Sequence, residues 1–197
     1  MANRARRALR VMMVAAMVVT ASAAQAEPGR RIGLRVCYPD SPNSTQLATF
    51  AAGKLQASAL YEAVGITLEW SGCEDRPIDE AAKHITILVV GDAHTKRIMS
   101  NSPSLRHNVL GIAMADTGRV YVFWDRIMRL GAARRALCER VLGWVLAHEI
   151  GHHLLPGKGH SVDGLMSPSL NNKVPQLPGF TAAQEDEIRT FLAASNG

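Results

Sequence analysis

A helix predicted from about Ala132 to Leu155 constrains this chain most, because it is largely apolar and still carries His148, Glu149 and His152. A set of its apolar side chains recurs on one face at the helical period, together with His148 and His152. That face comprises Leu137, Val141, Val145, His148, His152 and Leu155. An apolar helix has to be buried, and burying imidazole and carboxylate groups without partners is costly. The pattern therefore predicts a metal site or a cleft inside the core.

The spacing of the polar residues on this helix suits zinc. His148 and His152 stand one turn apart, so their ring nitrogens can reach a single Zn²⁺ at about 2.0–2.1 Å. Glu149 lies about 100° around the helix, where it can serve a water molecule without being a ligand. His160, which follows Gly157, is the candidate third ligand. Three protein ligands leave a fourth position open, as a catalytic zinc site requires.

A longer pattern around these residues resembles a known clan of zinc peptidases. It reads His148-Glu149-x-Gly151-His152, then Gly157-x-x-His160-Ser161, then Leu165-Met166-x-Pro168. This pattern resembles the metzincin clan, and most closely its matrixin branch. The resemblance implies a zinc-dependent endopeptidase whose catalytic base is Glu149 and whose metal ligands are His148, His152 and His160. It also implies that Met166 lies in a tight turn beneath the metal.

One departure from the clan pattern leaves the third ligand open. Residues 153–156 separate His152 from Gly157, which is two residues more than the metzincin spacing. If the longer segment does not bring His160 back, Asp163 or the pair Glu185 and Glu187 become candidates, and these would resemble the aspzincin and gluzincin arrangements. His153 points about 100° away from the metal face and is expected either at the rim or as a neighbour that supports the ligands. His84, His94 and His107 are isolated and are expected to be ordinary surface or capping residues.

The whole pattern predicts a single α/β (α+β) domain, zincin-like by resemblance, with a mixed twisted sheet, an active-site helix and a C-terminal helix. Strands are expected over residues 31–39, 66–70, 84–92, 109–115 and 119–124. The β-branched run over 84–92 is expected to be central and covered on both faces. Residues 109–124 form a predicted hairpin with an Asp116-Thr117-Gly118 turn, and they weakly resemble the matrixin strand that holds substrate.

Two capping signals place the other helices. Ser44 or Asn43 caps a helix that runs to about Val64 and stops at Gly65. Thr181 and Gln184 form a capping box that begins the last helix. Cys37 and Cys73 each close a predicted strand and could pair, whereas Cys138 falls within the apolar pattern of its helix and is expected to be buried.

The first 26 residues are typical of a secretory signal. Basic residues precede an apolar run over 11–19, and Ala24-Gln25-Ala26 then fits a cleavage site before Glu27. The apolar run is about half the roughly 20 residues that span a bilayer. We therefore expect residues 27–197 to form one exported metallopeptidase domain, periplasmic or secreted, with no stable membrane insertion once the signal is removed.

The charge balance gives no reason to expect nucleic-acid binding. The chain has 22 Lys and Arg, of which Arg4, Arg6, Arg7 and Arg10 lie in the signal, and none of its 17 acidic residues does. The pI near 9.4 thus reflects the targeting segment rather than a basic face. The expected partner is a peptide or protein substrate, together with an inhibitor protein if the enzyme is restrained. Two alternatives stay open: a zinc-binding pseudo-peptidase and an exported binding module without turnover.

Overall fold

The computed structural model describes residues 30–75, 84–101, 109–131, 134–155, 157, 159–169 and 177–194. Its strands are β1 (Arg30–Cys37), β2 (Ile66–Gly72), β3 (His84–Val90), β4 (Gly111–Met114) and β5 (Arg119–Phe123). Its helices are α1 (Ser44–Glu62), α2 (Asp92–Ser100), α3 (Trp124–Leu130), α4 (Arg135–Leu154) and α5 (Ala182–Ala194). The α/β (α+β) class is confirmed. The proposed signal segment lies outside the described residues.

The sheet is mixed, with the strand order β2-β1-β3-β5-β4. The strands β2, β1, β3 and β5 are parallel to their neighbours, and β4 runs antiparallel to β5 at one edge. The β-branched strand β3 is central, as predicted. Its Ile85, Ile87 and Val89 are buried, and Thr86 and Leu88 are partly buried, so the second face is covered only in part. The strand also ends at Val90, because α2 begins at Asp92.

Helices α1 and α4 pack against each other above the sheet and form the centre of the core. The N-cap of α1 is Asn43, which forms a capping box with Gln46, and Gly65 follows the helix with φ +78°. Gly53 permits the close contact, since a Cβ there would lie 2.7 Å from Cγ of Leu142. The buried hydroxyl of Tyr61 donates a 2.8 Å hydrogen bond to the carbonyl of Ala147. This bond anchors α4 to α1 at the residue that precedes His148.

The helix α4 is buried on nearly every side. It begins at Arg135 rather than near Ala132, and residues 132 and 133 are outside the described part of the chain. From Val141 to Leu154 every residue except His152 is buried. The sequence pattern of a largely apolar helix is therefore confirmed. Its C-cap is Leu155, after which the chain turns away toward His160.

The predicted hairpin forms the edge of the sheet, although its strands are shorter than expected. β4 covers residues 111–114 rather than 109–115, and β5 ends at Phe123 because Trp124 begins α3. Gly118 has φ +63°, a conformation that glycine adopts without strain. The hairpin therefore places one short strand at the edge of the described sheet, beside the C-terminal half of α4.

Cys37 and Cys73 form a disulfide that ties the end of β1 to the segment after β2. Cys138 is a free, buried cysteine, as its place in the helical pattern predicts. Burial raises the pKa of the Cys138 thiol, so a reactive thiolate is disfavoured there. No helix in the described part of the chain combines the length and the apolar character needed to cross a bilayer.

Candidate metal centre

Two of the three histidines of α4, His148 and His152, face the same point. The Nε2 atoms of His148 and His152 are 3.2 Å apart. Two imidazole nitrogens bound to one tetrahedral zinc at 2.0–2.1 Å would be about 3.3–3.4 Å apart. The spacing of one helical turn therefore brings the two donors to the separation that a shared ion requires. The rings are nearly perpendicular, with centroids 4.9 Å apart.

His160 completes the group despite the longer spacer. One ligand atom from each of His148, His152 and His160 lies within 4.8 Å of the others, so the three could hold a metal ion. Gly157 has φ +75°, which allows the chain to turn sharply after α4. The ring of His160 stacks on that of His148 with centroids 5.1 Å apart. Within the described residues, Asp163, Glu185 and Glu187 join no such group.

A hydrogen bond behind His148 sets its proton position. Nδ1 of His148 lies 2.8 Å from the carbonyl oxygen of Leu165, and a carbonyl can only accept. The proton therefore sits on Nδ1, and Nε2 keeps its lone pair for a metal. Burial lowers the pKa of His148 to about 4, and it lowers the pKa of His152 likewise to about 4. Both rings are thus neutral at neutral pH, the form in which histidine binds metals.

Met166 lies in a tight turn packed against α4. The turn is closed by a 3.2 Å hydrogen bond from the amide of Ser167 to the carbonyl of Gly164, and Gly164 has φ +77°. Met166 is 1% exposed. A Cβ on Gly151 would lie 2.5 Å from Sδ of Met166, so the glycine in the His-Glu-x-Gly-His motif makes room for this side chain. The turn also carries Leu165, whose carbonyl orients His148.

Glu149 is buried beside the three histidines without belonging to their group. It is 8% exposed, and burial raises the pKa of its carboxyl to about 8. The backbone amide of Ala113 in β4 donates a hydrogen bond to this carboxyl and opposes that rise. A cation bound by the histidines would favour the ionised carboxylate further. The glutamate is therefore oriented by the edge strand of the sheet.

The remaining histidines lie elsewhere. His153 is 4% exposed, and its Nε2 donates a 3.3 Å hydrogen bond to the carbonyl of Arg119. Of the two expected positions the rim was wrong, because this side of α4 packs against the start of β5. His94 pairs with Asp40 at 3.6 Å, and the ring of His84 occupies the space beside Gly33. His107 lies outside the described residues. None of those described joins a metal-binding group.

Several residues that shape the site were not singled out by their sequence. The Leu165 carbonyl, the Ala113 amide and the ring of Trp144, which packs 4.8 Å from His148, have no local signature. Gly111 in β4 does have one, since a glycine inside a strand often marks a close approach by another group. A Cβ at residue 111 would lie 2.9 Å from both Cγ and Oε1 of Glu149.

No protein-family model matches this chain, and no curated protein matches it either. The resemblance to the metzincin clan therefore rests on residues 148–168 and on the three-histidine group that they form.

Proposed function

We propose that this chain is an exported zinc-dependent endopeptidase that hydrolyses peptide bonds. The observation that carries the proposal is the convergence of His148, His152 and His160 beside the buried carboxylate of Glu149. A structural zinc site is usually closed by four protein ligands. A catalytic site instead has three protein ligands and a nearby carboxylate that does not bind the metal, which is the arrangement seen here.

Zinc is the metal that the donor set favours. All three candidate ligands are imidazoles, which suit zinc better than the hard cations Mg²⁺ and Ca²⁺. The Leu165 carbonyl behind His148 is the kind of second partner that metal-binding histidines usually have. When bound, zinc would act as a Lewis acid that polarises the substrate carbonyl and lowers the pKa of water.

Glu149 supplies the proton transfer in this proposal. Its carboxylate accepts a proton from water as the oxygen–carbon bond to the scissile carbonyl forms. The same carboxyl then gives that proton to the leaving nitrogen as the carbon–nitrogen bond breaks. The hydrogen bond from the Ala113 amide holds the carboxyl in place during both steps. Proton and bond changes therefore balance with one water molecule consumed.

The outer edge of β4, which pairs with no further strand among the described residues, supplies a place for an extended peptide. The amide of Phe123 donates to the carbonyl of Leu110, so residues 110 and 112 pair with β5 through the backbone. Gly111 and Ala113 consequently direct their backbone polar groups away from β5. The Ala113 amide serves Glu149, and the groups that remain can pair with a substrate strand. This arrangement supports an endopeptidase, which binds a peptide on both sides of the scissile bond.

Export is supported by the signal-like residues 1–26 and by the Cys37–Cys73 disulfide, since disulfides persist mainly in oxidising compartments. The intact mass of protein recovered from the periplasm or medium should correspond to a chain that begins at Glu27. A mass that includes residues 1–26 would argue against cleavage.

Replacement of Glu149 by glutamine tests the hydrolytic function. Glu149→Gln keeps the size of the side chain but cannot accept the proton, so the rate should fall by about a hundredfold or more. Wild type and variant are compared at matched zinc content on one peptide library over a pH series. Glu62→Gln, at an exposed position on α1, is the matched control and should hydrolyse at the wild-type rate.

Three outcomes separate the hypotheses. An active wild type and an inactive, zinc-loaded Glu149→Gln support the peptidase. A Glu149→Gln variant as active as wild type removes Glu149 from the mechanism. Two equally inactive, zinc-loaded proteins favour a pseudo-peptidase.

A further inference from the structure

Ser161, the residue after the third histidine, is held by hydrogen bonds from two directions. Its amide donates to the carbonyl of Met166 at 2.9 Å, and its hydroxyl donates to the carbonyl of Asp163 at 2.6 Å. The hydroxyl also accepts a 3.0 Å hydrogen bond from Nε2 of Gln184. Ser161 is therefore tied both to the Met166 turn and to the first turn of α5.

The side-chain amide of Gln184 is itself fixed. Its Oε1 accepts a 2.9 Å hydrogen bond from the amide of Thr181, which is the capping box predicted for α5. With its oxygen engaged there, the amide can present only its NH₂ group to Ser161. Gln184 is 9% exposed, so water competes little for these bonds. One side chain thus begins α5 and reaches the residue next to His160.

His160 is the one histidine of the three that no helix holds. It is exposed, whereas His148 is buried in α4. It follows a segment with Gly157 and Gly159, whose backbone freedom makes ordering costly. A cavity of about 300 Å³ adjoins it, lined partly by Leu155, His160 and Gln184. On the side of the cavity, no described residue packs closely against His160, so packing alone does not hold its side chain in place.

We infer that Gln184 is a positioning residue for His160, acting through the hydroxyl of Ser161. The inference rests on the zinc site proposed above. It explains how His160 reaches the site although the spacer after His152 is longer than in metzincins. The position of His160 depends on the anchor to α5 and not on the length of the spacer. Gln184 touches neither metal nor substrate in this account.

Zinc affinity of four proteins tests the inference. Dissociation constants are measured by competition with a chromophoric chelator for wild type, Ser161→Ala, Gln184→Met and the double variant. Each single substitution should weaken zinc binding by about three- to tenfold, the range expected for one net hydrogen bond. The double variant should bind no more weakly than the weaker single variant, because both changes break the same connection.

Two controls separate positioning from general stability. Ser161→Thr keeps the hydroxyl and should keep wild-type affinity. Thr181→Ala removes the capping hydroxyl but leaves the Gln184 amide and Ser161, so it should lower Tm without weakening zinc binding. The visible absorption spectrum of the cobalt(II)-loaded protein provides a further readout. It should change in Ser161→Ala and Gln184→Met, because it reports the number and geometry of the ligands, and it should be unchanged in Thr181→Ala.

The outcomes distinguish this inference from the proposed function. Wild-type affinity and cobalt spectra in both Ser161→Ala and Gln184→Met would overturn the inference and leave the zinc site intact. Additive losses in the double variant would also overturn it. A wild-type protein that binds no zinc would overturn the proposed function, and this inference with it. If Gln184→Met does not fold, the comparison of Ser161→Ala with Ser161→Thr decides.

Discussion

The carboxyl group of Glu149 lies directly against Gly111, and a Cβ on residue 111 would be 2.9 Å from Cγ of Glu149. The same Cβ would be 2.9 Å from Cγ1 of Val145, so both contacts lie on α4. The missing side chain allows β4 to approach the helix closely enough for the Ala113 amide to reach the carboxyl. The strand proposed to hold substrate therefore also orients the proposed base.

Gly111→Ala should displace Glu149 and reduce peptide hydrolysis by about tenfold or more, which corresponds to about 1.4 kcal/mol in the barrier. Zinc affinity should stay within about twofold of wild type, because none of the three ligands is among the nearest atoms at residue 111. Gly111 does not have positive φ, so alanine fits the backbone. The measurements are kcat on a fixed peptide and the zinc dissociation constant.

Gly179→Ala is the matched control for this variant. A Cβ there would meet no atom within 4 Å, so both measured quantities should be unchanged. A folded Gly111→Ala protein with wild-type kcat would contradict the role assigned to the close contact.

The third ligand can be identified by comparing three alanine variants. His160→Ala should weaken zinc binding by at least about a hundredfold, since even loss of an outer-shell partner costs about 10–100-fold. Asp163→Ala and Glu185→Ala should bind zinc within about threefold of wild type, because neither carboxylate joins the histidine group and Glu185 instead pairs with Arg189 at 3.3 Å. Loss of zinc in Asp163→Ala, measured in the same competition assay, would contradict the ligand set that the resemblance to the metzincin clan implies.

The disulfide should matter for stability and not for the metal. Cys37 and Cys73 are 36 residues apart, and the loop-entropy model assigns such a crosslink about 4 kcal/mol. The Cys37→Ser/Cys73→Ser double variant should therefore unfold at a lower temperature, as followed by circular dichroism. Its zinc affinity should be unchanged, because neither β1 nor β2 contributes a residue to the three-histidine group. A reducing agent should lower the Tm of wild type and leave that of the double variant where it is.

The parts of the fold that were predicted correctly are those with local signals. The helical spacing of His148 and His152, the cap at Ser44 or Asn43, the Thr181 capping box and the Asp116-Thr117-Gly118 turn all depend on residues within a few positions of each other. In these segments, neighbouring residues determine the backbone conformation, and the structure agrees with the pattern.

Two helices, α2 and α3, were not predicted, and neither begins with a side-chain cap. The N-cap positions of α2 and α3 are Gly91 and Phe123, and neither makes a side-chain capping hydrogen bond. Only Gly91 separates α2 from β3, and α3 follows β5 directly, so both predicted strands ran past their true ends. These starts are instead supported by tertiary contacts, including the hydrogen bond from the Asp92 amide to Asp125 and the ion pair between Asp92 and Arg129.

The supporting groups of the site could not be predicted for a similar reason. The Leu165 carbonyl, the Gly111 contact and the link from Gln184 to Ser161 each join residues 17 or more positions apart. The sequence identifies side chains by type, and the choice among His160, Asp163 and Glu185 depended on how far a spacer could turn. That choice required the positions of α5 and of the Met166 turn.

The zinc content of the purified mature protein, measured by mass spectrometry under native conditions, tests the central claim most directly. We predict one zinc per chain. A strong chelator should remove the zinc and abolish peptide hydrolysis, and adding zinc back should restore both. A metal-free protein that remains folded and hydrolyses peptides would contradict the account.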